Sequence, residues 1–132
     1  MILKNLGLFL LRVSLGSVFI IFGIGKFQHD FWARSIETME FFQRLPIPVS
    51  VSVNIIGFME VATGTLLILG LKTRLIAALA AIELIGILIL LNFQEARDIG
   101  LLGAAICLSL SQDIPWSLDQ LVLNNSSNNK MQ

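Results

Sequence analysis

Arg12, Glu60 and Glu83 are ionisable side chains set inside runs of sequence otherwise apolar enough to cross a bilayer. A charge in hydrocarbon costs about 2.5 to 3.5 kcal/mol on insertion scales. A chain that keeps three must set them against one another, in a protein interior, or in a watery cavity. Two acids and one base in one interior can do chemistry. A carboxyl beside the guanidinium stays ionised, and a second carboxyl without a partner keeps its proton. A buried, protonated carboxyl can relay a proton or donate a hydrogen bond to a substrate oxygen, a quinone carbonyl included. The same cluster without any chemistry would fix the register of the helices that carry it. Both readings stand on these residues.

Helices that cross a bilayer must position these groups. The chain has 132 residues, 55% hydrophobic and 14% charged, with a mean hydropathy of +0.82. A soluble domain carries about 25% charge. Net charge is zero, so nothing in the total draws nucleic acid. The single cysteine, Cys107, excludes an intramolecular disulfide and a CxxC redox or zinc motif. The single histidine, His29, cannot make a bis-histidine haem site within one chain. No set of residues suits a metal, haem, flavin or iron–sulfur centre, so electrons in any redox role come from a partner.

About 20 apolar residues cross a hydrocarbon core. Four stretches approach that length: 6–27, 50–71, 75–92 and 96–112. The last is short and reaches bilayer length only if Ala96 to Asp98 join it with their charges snorkelling outward. The first is too long, and wrongly flanked, for a removed signal, so it reads as a retained span. Residues 29–46 form another kind of segment. Trp32, Ile36, Met39 and Phe42 recur at helical spacing, as an amphipathic helix lying in the interface or capping the bundle would have them. The expected fold is therefore all-α, an integral membrane four-helix bundle occupying 1–123 with an interfacial helix between its first two spans. The Asn- and Ser-rich residues 124–132 read as a disordered tail.

Four spans put both termini on one side, with Lys4, Lys72, Arg74 and Lys130; Lys26, Arg34, Arg44 and Arg97 lie opposite. The tight Lys72-Thr73-Arg74 turn favours a cytoplasmic placement of the termini. Counted from that side at the helical rise, Arg12 lies about 10 Å deep, Glu83 about 12 Å and Glu60 about 16 Å. The expectation is one Arg12–Glu60–Glu83 cluster.

Other residues read more plainly. Lys26 ends its span and should snorkel. Cys107 is a small packing residue, His29 is solvated, and Trp32 and Trp116 anchor the interface. Gly16 and Gly23 share one helix face, as do Gly57 and Gly64, and each pair asks for a close helix contact. The pairs Ala77–Ala81 and Gly100–Ala104 have the same small-residue spacing.

A family pattern runs through these spans. The first reads Arg12-x3-Gly16-x6-Gly23-x2-Lys26, the second Glu60-x3-Gly64-x5-Gly70-x3-Arg74, and Ser117-Leu118-Asp119 follows the fourth. In order and spacing the chain resembles the DoxX family of small four-helix membrane proteins from about residue 6 to 121. The resemblance implies Arg12, Gly16, Gly23, Lys26, Glu60, Gly64, Gly70, Arg74, Ser117 and Asp119 as family positions. It also implies a link to redox systems, since some relatives are membrane subunits of quinone oxidoreductases and others serve thiol or oxidative stress. Two departures stand out. Asp113-Ile114-Pro115-Trp116 replaces a Gly-Pro-Gly-like turn, and Glu83 lies where relatives are usually apolar.

Three functions compete on this reading. The first is an accessory or anchor subunit of a membrane redox system in a bacterial plasma membrane. It would have no catalytic residues of its own, a redox partner subunit, and a quinone near Glu60 and Glu83. The second is a proton-coupled carrier on the same cluster, which four spans could support only as a homo-oligomer. The third is a structural or assembly factor for another membrane protein.

Overall fold

A computed structural model describes residues 2–28, 40–44, 46–90, 96–111 and 116–118. Its helices, in chain order, are α1 (Ile2–Gln28), α2 (Glu40–Gln43), α3 (Val49–Leu69), α4 (Thr73–Leu90) and α5 (Ala96–Leu110). The chain is all-α, with no strand among the described residues. By length and apolar composition α1 and α3 can each cross a membrane.

Local chemistry sets the boundaries. Pro48, at φ −57° and ψ 142°, holds the chain extended just before α3 begins. At the other end Gly70 takes a left-handed φ of 71°. Its N–H reaches the Leu67 carbonyl at 3.1 Å, and the Leu71 N–H reaches that of Leu66 at 3.2 Å, a Schellman closure. Lys72 is also left-handed, at φ 45°. Two positive-φ residues so close together reverse the chain, and α4 returns beside α3.

The helices associate as two antiparallel pairs. α1 packs chiefly on α3, and α4 chiefly on α5. The first pair meets backbone to backbone. A Cβ built on Gly64 would lie 2.5 Å from the Gly16 carbonyl oxygen, and one on Gly23 2.7 Å from that of Gly57. No side chain fits there, so the expected glycine faces meet each other. The second pair closes over alanines: Ala77, Ala80, Ala81 and Ala105 are buried with Leu84 and Leu108. Leu15, Phe19 and Leu67 of the first pair join this core. Gly100 has nothing within 4 Å of a built Cβ, so the Gly100–Ala104 spacing marks no close contact among the described residues.

The outward faces are largely apolar. Ile21, Phe58, Leu75, Ile82, Ile89 and Leu110 are exposed, while Arg12, Lys26, Glu60 and Asp98 are buried. That is the reverse of a water-soluble bundle. Asp98, expected to snorkel outward, is instead 8% exposed. The expected interfacial segment lies mostly outside the described residues, as do Trp32, Ile36, Met39, His29, Asp119 and the tail. What is described there is the single turn of α2, with Phe42 buried and Phe41 exposed.

These contacts make opposite glycine substitutions diverge. Gly64→Ala presses a methyl onto the backbone of α1, and overpacking of this kind costs about 1–3 kcal/mol. Gly103→Ala meets nothing within 4 Å and gains helix propensity. Thermal melts in detergent should show a lower midpoint for the first variant and none for the second. Equal loss in both would disprove the contact.

A polar layer between two helix pairs

The glycine register decides which charges meet. In an α-helix each Cα–Cβ bond tilts toward the helix N-terminus. α1 and α3 run antiparallel, so the N-terminal direction of α1 is the C-terminal direction of α3. Lys26 starts beside Gly57, where its Cβ lies 3.1 Å from a Cβ built on that glycine. Its stem then leans along α3 toward Glu60, three residues or about 4.5 Å further on. There Lys26 Nζ meets Glu60 Oε2 at 2.5 Å, with side chains 7% and 5% exposed.

The same tilt carries Arg12 away from Glu60. Its guanidinium reaches the far end of α3, where Nη1 lies 2.6 Å from a Cβ built on Gly70. Gly70 is ten residues from Glu60, about 15 Å along the helix. Arg12 Nη2 donates to the Trp116 carbonyl at 2.8 Å. Its Cζ lies 5.4 Å from the Phe9 ring centroid, and Phe9 meets Trp116 edge to face. The expected Arg12–Glu60–Glu83 cluster is therefore corrected: the acids stand together and Arg12 stands elsewhere. Depth counted from span ends ignored both the register and the direction of the side chains. Lys26, expected to snorkel, supplies the cation instead.

Glu83 reaches the layer from α4. Its Oε1 accepts a hydrogen bond from Thr63 Oγ1 at 3.1 Å. Thr63 follows Glu60 by three residues, so both occupy one face of α3. Glu60 and Lys26 are near enough for their charges to act on Glu83, and Asp98 of α5 is near enough to act on Glu60. Each of the four long helices thus gives at least one polar residue to a layer where the two helix pairs meet. Asp98 and Lys26 were the residues that sequence reasoning left at the rim. Among the described residues no three His, Cys, Asp or Glu side chains converge as metal ligands would.

Gly70, Arg74 and Ser117, the remaining motif positions among the described residues, gather at the other end. Ser117 is buried against Gly70, its Cβ 2.7 Å from one built there. Arg74 Nε donates to the Ser109 carbonyl at 3.2 Å and so ties the α3–α4 turn to the last turn of α5. Trp116 is exposed, consistent with an interface position, and Cys107 is an exposed free thiol. One end of the bundle is thus a backbone cap held by arginines, and the acids lie apart from it.

Breaking a buried pair by removing one partner typically costs about 3–5 kcal/mol, because the other charge stays behind. Lys26→Met should lower stability on that scale, and the double variant Lys26→Met/Glu60→Gln should recover much of it. A double-mutant cycle on thermal or denaturant unfolding in detergent reads the coupling. Arg12→Gln should show no coupling with Glu60→Gln.

The DoxX family model matches residues 7–93. CatD of Bacillus subtilis (strain 168), an oxidoreductase by provisional name, is 31% identical over 131 residues, covering 94% of this chain and 92% of its own. Rv3486 of Mycobacterium tuberculosis, named an uncharacterized membrane protein, is 31% identical over 94 residues, covering 70% of this chain and 55% of its own. No solved structure matches. The chain is a membrane protein of the DoxX family.

Proposed function

We propose that this protein is an accessory or anchor subunit of a membrane redox system, quinone-linked or serving thiol or oxidative stress, without catalytic activity of its own. In this reading α1, α3, α4 and α5 are four spans of a bacterial plasma membrane, with both termini on the cytoplasmic side. The observation that carries it is the polar layer: a buried Lys26–Glu60 pair with half-buried Glu83 beside it, where the two helix pairs meet. A quinone presents a carbonyl oxygen, and an acid that can donate to it is what Glu83 offers. The name borne by CatD adds support from a relative matched along nearly its whole length.

A purely structural role has its own observation in its favour. The Lys26–Glu60 pair is complete within the chain, and such a pair can serve only to lock helix register. A proton-coupled carrier would use the same layer, with the join between the helix pairs as its moving part.

Purification of a tagged copy in mild detergent, followed by mass spectrometry and ultraviolet–visible spectra, separates these roles. The redox reading expects a co-purifying oxidoreductase or a bound quinone, reduced in amount by Glu83→Gln while the protein still inserts. A colourless protein with no partner, and no change on substitution, would contradict it.

A further inference from the structure

Glu60 and Glu83 differ in how their oxygens are satisfied. Glu60 Oε2 meets the ammonium of Lys26 at 2.5 Å. Glu83 Oε1 accepts from Thr63 Oγ1 at 3.1 Å, while its Oε2 is buried with no hydrogen-bond partner among the described residues. The groups around it are Lys26 from α1 and Glu60 and Thr63 from α3, while Asp98 from α5 lies near enough to act on Glu60. Lys26, the cation whose charge reaches Glu83, is already engaged by Glu60. One ammonium thus faces two glutamates, with an aspartate near by.

An ionised carboxylate is acceptor-only, and it needs donors or a counter-charge at both oxygens when buried. Glu83 has a donor at one oxygen and nothing at the other. A neutral acid resolves this, because the bare oxygen then carries a hydrogen and no charge. We infer that Glu83 is a proton-binding site: its carboxyl is neutral around pH 7, with the proton on Oε2, beside the charged Lys26–Glu60 pair. Thr63 fixes the opposite oxygen and so aims the acid.

The step such a site performs is reversible. The O–H bond at Oε2 breaks, the proton passes to a neutral oxygen acceptor such as water or a carbonyl, and a carboxylate remains. Lys26 can then share its charge between Glu60 and Glu83, which steadies the deprotonated form. No electron moves in this step, so it requires no redox partner. The inference therefore goes beyond the membrane-subunit reading and holds whether or not that partner exists.

Infrared spectroscopy of the protein in lipid nanodiscs tests it, since a protonated carboxyl shows an acid carbonyl stretch that shifts in D2O. The wild type should show that band at neutral pH, and Glu83→Gln should lose it. Thr63→Val should keep the band but move it to higher frequency, because the acid loses its hydrogen bond from Thr63. Should Glu83→Gln fail to fold, the shift in Thr63→Val decides alone. A band removed by Asp98→Asn but indifferent to Thr63→Val, or no acid band at all, would overturn the proposal. A band of the expected kind in a protein that binds no redox partner would keep the proton site and sink the redox reading.

Discussion

Two helices that touch backbone to backbone cannot slide without a steric clash, and that constraint between α1 and α3 governs the rest of the molecule. Gly16 faces Gly64, and Gly23 faces Gly57, with no space for a Cβ at either crossing. Such close approach gains dispersion contacts and weak Cα–H···O interactions, the main attractions left where lipid removes the hydrophobic drive for helices to associate. Once this register is fixed, the tilt of side chains toward each N-terminus determines the partners. Lys26 leans toward Glu60, and Arg12 leans toward Gly70. The ion pair is a consequence of the glycines as much as of the charges.

The second helix pair completes the layer. Glu83 on α4 and Asp98 on α5 add two acids beside an ammonium already engaged by Glu60. A bundle needing only a register lock could stop at Lys26 and Glu60. The arginines work at the opposite end, where Arg12 and Arg74 satisfy carbonyls of the segment around and beyond the end of α5. Positive charge there holds backbone in place, and the acid chemistry is left about 15 Å away along α3.

Much of the framework was legible in residue order alone. Hydropathy marked an all-α chain with long apolar helices, and the Lys72–Arg74 turn marked where the chain reverses between α3 and α4. The glycine faces were readable because a spacing of seven keeps two residues nearly on one side of a helix. The partners were harder, because depth along a span says nothing about rotation, register or the direction in which a long side chain leans. Lys26 was misplaced at the rim for that reason, and Asp98 because a first-turn charge ordinarily finds water. The tilt of Cβ atoms, applied to an antiparallel pair with its glycines aligned, would have found the Lys26–Glu60 contact. The Trp116 carbonyl carried no such signal: a backbone acceptor brought from 104 residues away leaves no trace in local pattern.

The claim on which everything above turns is that Lys26 points inward to Glu60 within the bilayer. Solid-state NMR on protein labelled at lysine Nζ and glutamate Cδ, reconstituted in phospholipid, measures this directly. A short-range coupling between Lys26 Nζ and the Glu60 carboxyl, absent in Glu60→Gln, is the result expected. Coupling of Lys26 Nζ to lipid phosphorus, with Glu60 in contact with the Arg12 guanidinium instead, would contradict the register, the polar layer and the function built on them.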